Sequence, residues 1–527
     1  MKKIIIFCLA LTSLFTSCEV FDFDLQDNPN KLTPSSADPD FVLNEVQVLL
    51  SEATFEFIDE TNKIMRYISM NGNYNQIADP AALNSAWSDV YELNENVKIL
   101  EQYVAENPKF KFHRGAAKIL KAYAMATLVD YLGDVPYSEA NDPNNFHPKA
   151  DDDEEIYNNL LAELDLAITD LNNTVTVPST DLYFGGDNKL WIKLANTIKL
   201  KMYLNMGDVD AINTLISEDN LISDASEDFV FKYSTSANTG LDSRHPLFNS
   251  VSYTNNDFSS YIGNYFIWLL KDSKTTTDPR LRYYLYRQIG VNPQDDSTGD
   301  YLRCEGKPNY DYCYVGDFYW GRDHGDDDSR PADGYKKTTY GVYPIGGAFD
   351  EDNFEPANKT TNLGGAGILP IITSSFVDFL KAEAVLSLGA NGDAATLLEK
   401  GIRASIDKVV NFNPATTSSS FAATSDNIDD YVTAVLDEYN SADDDGKLDI
   451  VLREYYIASF GNSIESYNGY RRTGYPSNIQ APIKDENIPF PRTFAIPRDV
   501  VTNNSSIDQR PKTTQVFWDK NPAGFIK

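Results

Sequence analysis

The sequence predicts a mainly α fold, helix pairs packed in succession and interrupted by one long irregular insertion. Three observations carry that expectation. Over residues 39–224, and again over 373–527, apolar residues recur at three- and four-residue spacing between capping acids and terminating glycines. The first of these stretches falls into antiparallel helix pairs of about 35 residues, with small residues where helices meet. Between 225 and 372 the spacing mostly gives way to Gly, Pro, Asn, Asp and aromatic residues, a length of irregular chain that is normally functional in an ordered protein.

The chain opens Met1-Lys2-Lys3, continues as an apolar run over residues 4–15, and reaches Thr16-Ser17-Cys18. A basic head, an apolar core too short to span a bilayer permanently and small residues before a cysteine describe a secretion signal over residues 1–17. Its ending resembles the bacterial lipobox, where the signal is cut before the cysteine and the thiol carries a diacylglycerol; Phe15 stands where Leu is usual. Cys18 is then the lipidation site, and acyl chains contributing about 0.8 kcal/mol per buried methylene tether the rest to a membrane surface. The alternative is a plain signal peptide cleaved near Ser17. Residues 18–38, acidic and rich in Pro and Asn, read as the lipidated tether and linker. Glu19, Asp22 and Asp24 within it resemble the signal that exports some lipoproteins to the outer face of the outer membrane, with plain spacer acidity as the other reading.

Phe41, Val42, Val46, Leu49, Leu50 and Ala53 mark a first helix from Pro39. A polar patch over residues 70–76 interrupts it, and Asp79-Pro80 is expected to start the second helix by placing a capping carboxylate before a first-turn proline. Leu83, Trp87, Val90, Tyr91, Asn94, Val97 and Leu100 share its inner face, with Trp87 as a core anchor. Residues 110–132 make the clearest helix, apolar nearly all round and therefore enclosed by others, and Gly133-Asp134-Val135-Pro136 stops it. The acidic run 151–155 complements a helix dipole, a reading preferred to a metal site. Its helix runs on to Leu171. Asp187 leads into a helix carrying Trp191, Leu194, Ile198 and Met202, ended by Gly207, with a short helix from Asp208. By periodicity this is tetratricopeptide-like packing, although the consensus of that repeat is not legible.

Inside 225–372 only residues 261–270 and 280–286 keep helical spacing. Helices resume over 374–388, turn at Asn391-Gly392-Asp393 and continue to Val410. After 425–439, a final long helix places Leu448, Val451, Leu452, Tyr455, Tyr456 and Phe460 on one face.

With 78 Asp and Glu against 45 Lys and Arg, the chain is a poor partner for nucleic acid or anionic lipid, so attachment has to come from the anchor. With Cys8 removed in the signal and Cys18 acylated, Cys304 and Cys313 remain as one pair in an oxidising compartment. Closing so short a loop stabilises by roughly 2.5–3 kcal/mol on the chain-entropy model. No second apolar stretch reaches the length of a membrane span. The 32 Tyr and 28 Phe, with many Asn and Thr, suit neutral polar ligands such as sugars or peptides, although most of these rings fill helix interfaces.

Four blocks stand in order along the chain: GDVPYSEA at 133–140, LPIIT at 369–373 leading into LKAEA at 380–384, YRRTGYP at 470–476, and IPRD at 496–499. Together with the lipobox they resemble the SusD/RagB family of nutrient-binding outer-membrane lipoproteins over nearly the whole chain. GRDHGD at 321–326 and YGVYPIGG at 340–347 resemble one subgroup of it. Tyr455-Tyr456 stands where Lys-Trp is common, and Asn468-Gly469 precedes Tyr470 where bulkier residues are usual, departures that bear on helix packing. The resemblance implies tetratricopeptide-like helix pairs with an irregular ligand-binding insertion, and a TonB-dependent, SusC-like transporter as partner. It also implies capture of glycans, or of peptides in some members, without catalysis. The expectation is a lipoprotein anchored in the outer membrane and facing the cell exterior, which binds an oligosaccharide and delivers it to that transporter. Peptide capture by the same kind of uptake system is the alternative, and a tethered glycosidase the third reading. No catalytic residue and no cofactor is expected.

The strongest site candidate runs from Cys304 to His324. Tyr310, Tyr312, Tyr314, Phe318, Tyr319 and Trp320 crowd eleven residues there, which a Cys304–Cys313 bond could stiffen. Flat rings stack on the apolar face of a pyranose while Asp311, Asp317 or Arg322 hydrogen-bonds hydroxyls, and a stiffened loop lowers the ordering cost of binding. Trp320 and Tyr319 are the expected principal contacts; the same rings packing back onto the helices is the competing reading. Asn73 and Tyr74, in the polar turn between the first helices, form a second candidate. Asp323, Asp326, Asp327 and Asp328 are a weak calcium candidate, an acidic solvent turn being preferred. GGAG at 364–367 lacks the Lys-Ser/Thr of a phosphate loop, and His113, His147, His245 and His324 show no zinc-hydrolase spacing. No nucleophile elbow is present, while carboxylate pairs for glycoside hydrolysis stay open because acids are everywhere.

Overall fold

In a computed structural model of the protein, the described residues are 38–238, 241–248, 261–292, 302, 304–305, 312–326, 334–358, 360, 363–414, 417, 420–483, 488–522 and 524–525. The signal over 1–17, Cys18 and its tether with Glu19, Asp22 and Asp24 lie outside them, as do Tyr310, Asp311, Asp327 and Asp328. No helix among the described residues is long and apolar enough to cross a membrane.

Pro39, with φ preset for a first turn, opens α1 (Pro39–Ile64), which buries Leu43, Val46, Leu50, Phe57 and Ile58. Phe41, expected on that face, is 74% exposed, because two residues before Leu43 is about 200° round the helix. Asn73 caps a single turn, α2 (Tyr74–Ile77), through a capping box with Gln76. The next helix starts later than Asp79-Pro80 suggests. Asp79 accepts from the Ala81 amide at 2.6 Å and closes only a turn, after which α3 (Asn84–Glu106) begins. Val90, Asn94, Val97 and Leu100 of α3 are buried, and Trp87 packs against the core while staying half-buried.

α4 (Lys111–Leu132) is buried along almost its whole length by α1, α3, α5 (Asp153–Asn172) and α6 (Asn188–Met206). Gly115 lets α4 and α5 meet: a β-carbon there would lie 3.0 Å from Leu171 Cγ and 3.1 Å from the Ala167 carbonyl oxygen. The acidic run before α5 does separate jobs. Asp152 caps the helix through the Glu154 and Glu155 amides, Asp151 accepts from the amides of Tyr137 and Ser138, and Asp153 accepts from that of Phe517. Gly207 ends α6, and α7 (Val209–Glu218) follows with Asp208 as its cap.

The irregular stretch enters through β1 (Phe229–Lys232) and leaves through β6 (Ile368–Ile372), paired antiparallel with Phe229 opposite Ile372 and Lys232 opposite Ile368. β6 is buried on both faces, so its sequence shows no alternation and gives no strand signal. Between them lie β2 (Ala237–Asn238) paired with β3 (Leu241–Asp242), α8 (Asn264–Lys271), α9 (Leu281–Tyr284), and β4 (Leu285–Tyr286) paired with β5 (Thr339–Tyr340). The chain then returns to helix as α10 (Ser374–Leu388), α11 (Ala394–Val410), α12 (Ser425–Ser441) and α13 (Asp444–Ala458).

A further helix, α14 (Ser463–Thr473), follows a break where one long helix through Phe460 was expected. It is buried nearly all round, and Ser463, Glu465, Asn468 and Arg471 are enclosed along with Ile464, Tyr467 and Tyr470. Each of the polar four finds partners. Arg471 donates to the Asp130 and Arg492 carbonyls, Asn468 to the Asp130 carboxylate, and Glu465 accepts from Tyr455 and pairs with Lys201. The C-terminal segment, including α15 (Arg498–Asn503), returns over α4: Phe494 donates its amide to the Tyr131 carbonyl, and Trp518 its indole N–H to Asp130. Helices from before and after the irregular stretch, together with β1 and β6, contribute to one continuous apolar core.

Candidate functional site

Residues 66–74, the start of α8 and residues 321–325 meet at one place, which joins the two site candidates of the sequence. Ile68 bridges Ile262, Gly263 bridges Arg322, and the Gly325 amide donates to the Met70 carbonyl at 2.9 Å. Gly263 is needed for this approach, since a β-carbon would fall 2.2 Å from the Arg66 carbonyl oxygen. The Tyr74 hydroxyl lies 3.1 Å from His324 Nε2 and accepts from Arg66 Nη2 at 2.7 Å. Burial and the nearby Arg66 hold the His324 imidazole well below its usual range, so it is neutral. Asp323 accepts from Asn264 Nδ2 at 3.0 Å, the Cys304 amide at 3.1 Å and Gln480 Nε2 at 3.4 Å.

That junction is internal, which corrects several expectations. Tyr74 and Trp320 are each 1% exposed, Tyr319 4% and Arg322 8%. Trp320 sits in a small apolar cluster with Tyr261, Leu302, Cys304 and Ile483, edge-on to Tyr314 at 5.8 Å. Tyr319 is roofed by the Arg287 guanidinium, 4.7 Å above its ring and held there by Asp350. Arg322 pairs with Asp326 at 2.9 Å and lies over the Tyr261 ring. Tyr319 thus joins the main apolar core and Trp320 the small cluster beside it, so the rings expected as principal contacts are packed inward and present no face to solvent. Of the calcium candidate, Asp323 is engaged by three N–H donors and Asp326 by the Arg322 guanidinium, while Asp327 and Asp328 lie outside the described residues.

A rim of half-buried aromatics remains at the surface. Cys304 and Cys313 form a disulfide with Cα atoms 5.5 Å apart, closing the loop that presents Tyr312 and Tyr314 on either side of Cys313. Tyr312 stands edge-on to Trp268, ring centres 5.6 Å apart, with buried Tyr265 behind both. Gly316, Asp317 and Phe318 follow with φ of 81°, 53° and 67°, a left-handed run that turns the chain sharply. Asp317, exposed at the tip, pairs with Lys271 at 3.1 Å, and Phe318 rests half-buried against Phe354. Asn73 is half-buried, and its side chain is engaged in capping α2.

Sequence reasoning missed Trp268. The signal was present: in NYFIWLLK, residues 265–267, 269 and 270 are buried, and only Trp268 and Lys271 face outward, one turn apart. Rings set edge to face at 63° beside an ion pair can support the apolar face of a polar ligand and hydrogen-bond its edge. Elsewhere, carboxylate oxygens of Asp134, Asp152 and Asp153 lie within 4.8 Å of one another, but Arg510 pairs with Asp134 and Asp152 caps α5.

Residues 29–312 match the family model described as "Starch-binding associating with outer membrane", and residues 351–500 the one described as "Susd and RagB outer membrane lipoprotein". No curated protein matches in sequence. Solved structures do match in fold. A SusD homologue from Bacteroides uniformis superposes with TM-score 0.68 at 18% identity, covering 92% of this chain and 100% of its own. One described as a chitin-binding protein gives 0.65 at 21%, with the same coverage. A chitin-binding SusD homologue from Flavobacterium johnsoniae gives 0.61 at 18%, covering 92% of this chain and 98% of its own. With the expected helical order present and the first model alone spanning more than half of its residues, the chain belongs to the SusD-like family, whose models are named for outer-membrane lipoproteins.

Proposed function

We propose that the protein is a surface receptor that captures an oligosaccharide and passes it, unaltered, to a SusC-like TonB-dependent transporter. The rim of Trp268 and Tyr312 carries this reading: two rings in contact, centres 5.6 Å apart, one on a rigid helix and one on a disulfide-closed loop, make a pre-positioned platform on which a pyranose can rest. Tyr314, Phe318 and Asp317 extend the rim, while Trp320, Tyr319, Arg322 and Tyr74 support it from behind. Two of the similar structures are of chitin-binding proteins, which favours a glycan over a peptide. Lipidation of Cys18 would anchor the protein in the outer membrane, facing the cell exterior. Capture for hand-over requires moderate affinity, since a ligand held too tightly is not released.

Calorimetric titration with chitohexaose, maltoheptaose and a set of oligopeptides tests the reading. Binding of an oligosaccharide that weakens at least tenfold in the Trp268→Ala/Tyr312→Ala variant supports it. Binding of peptides alone, unchanged affinity in that variant, or hydrolysis of the sugar overturns it.

A further inference from the structure

A second recess lies on the helical repeat itself. It has a volume of about 420 Å³ and opens between α3, the connection from α4 to α5, and α15. Trp87 and Tyr91, one turn apart on α3, wall it with rings 4.7 Å apart and planes 42° from parallel. The Tyr91 hydroxyl donates to the Pro136 carbonyl at 2.7 Å, which fixes that ring. Phe146, across the recess, is 80% exposed, an unusual position for so large an apolar side chain.

The recess is not merely greasy. Asp499 and Asn503 stand one turn apart on α15 and are both exposed at its edge. Among the described residues, their side chains and the indole N–H of Trp87 make no hydrogen bond or ion pair. Asn141, held at φ 57° with its Nδ2 on the Tyr91 carbonyl, keeps its Oδ1 without a partner among the described residues. Among the described residues that line the recess none is Lys, Arg or His, and Lys98 behind it is bonded to the Ala140 carbonyl.

Those groups define the ligand. A purely apolar occupant would leave a carboxylate, an amide and an N–H unsatisfied as it covered them, at a cost in each case. An anion would meet Asp499 and find no cation. A neutral pyranose fits both demands, because one face is apolar and its rim is a ring of hydroxyls that donate and accept. It can lie on Trp87, donate to Asp499 and Asn503, and accept from the indole N–H, and the volume suits one or two sugar units. We infer that this recess is a second saccharide-binding site, separate from the Trp268–Tyr312 rim and selective for short neutral sugars. The inference rests on the carbohydrate reading of the protein and adds to it a site with its own side chains.

The test uses the full chain in detergent, titrated at millimolar concentration with maltose, cellobiose and diacetylchitobiose and followed by saturation-transfer NMR. The Trp268→Ala/Tyr312→Ala variant should retain disaccharide binding. Adding Trp87→Ala should reduce that remainder at least tenfold. Adding instead Asp499→Asn with Asn503→Ala, both at exposed positions that leave folding undisturbed, should weaken it several-fold. If the parent chain binds glycan but the rim variant binds none, the second site is refuted and the rim reading stands. A remainder insensitive to both sets of changes refutes it as well. If the parent chain binds no glycan, both readings fall together.

Discussion

The Tyr74 hydroxyl lies 3.1 Å from Nε2 of His324, a residue 250 positions later, and accepts from Arg66 Nη2 at 2.7 Å. One buried oxygen therefore ties the first helical turn of the polar patch to the loop that follows the disulfide. Replacing Tyr74 with Phe leaves a buried guanidinium donor and an imidazole nitrogen without this partner, a loss of roughly 1–3 kcal/mol. Urea unfolding should shift to lower midpoint while oligosaccharide affinity is retained. An unshifted midpoint with lost affinity would return Tyr74 to the ligand surface.

Trp320 and Trp268 should separate stability from binding. Trp320→Ala empties the centre of the small loop core and should destabilise by roughly 3–5 kcal/mol, read from thermal or urea unfolding. Trp268→Ala, at a half-buried position, should leave the melting transition nearly in place and weaken glycan binding at least tenfold in calorimetry.

The disulfide is expected to matter more locally than globally. Cys304→Ser with Cys313→Ser should cost roughly 2.5–3 kcal/mol on the chain-entropy model and leave the far-UV dichroism of the helices unchanged. Glycan affinity should drop, because ordering of the Tyr312–Tyr314 segment then falls on the binding step. Affinity equal to that of the oxidised chain would show that the rim needs no crosslink.

Between α1 and α3 the charge is one-sided, and pH exposes it. Desolvation pushes the Glu60 carboxyl up to about 7, against the pull of Lys63 and with repulsion from Asp59 and Glu56, and Asp89 is pushed up to about 6 by burial and by Glu52, Glu56 and Glu92. A carboxyl whose folded pKa lies above its unfolded one stabilises when protonated and loses that contribution as pH rises through the folded value. Stability should therefore increase from pH 8.5 to 6.5, by about 1 kcal/mol from Glu60. Glu60→Gln should flatten that dependence in urea titrations at the two pH values; an unaltered slope would assign it elsewhere.

The helical frame was legible in the sequence because its punctuation is local. Asp152, Asp187, Asp208, Thr373 and Asp393 each cap the helix they precede, and Gly207 and Gly389 end theirs in the left-handed conformation. α14 was not legible, since it is buried nearly all round, polar and apolar residues alike, and so shows no stripe, while Asn468 and Arg471 find their partner Asp130 only 338 and 341 residues away. Within the aromatic loop the sequence did not separate inner from outer rings: residues 312–320 have no period from which to tell that Trp320 turns in and Tyr312 out. The recess at Trp87 joins residues 87, 141 and 499, a juxtaposition that only the folded chain displays.

The pairing of Phe229 with Ile372 has a consequence for how this fold can diversify. Departure and re-entry occur side by side, so parts of the excursion away from its contacts with the frame, such as Ile262 on Ile68 and Tyr284 on Ile457, can change in length without moving its two ends. Because closure entropy rises by only about 0.6 kcal/mol for each doubling of length, tips of that excursion can be lengthened, trimmed or exchanged at little thermodynamic expense. A new taste in nutrient can then evolve on an unaltered scaffold.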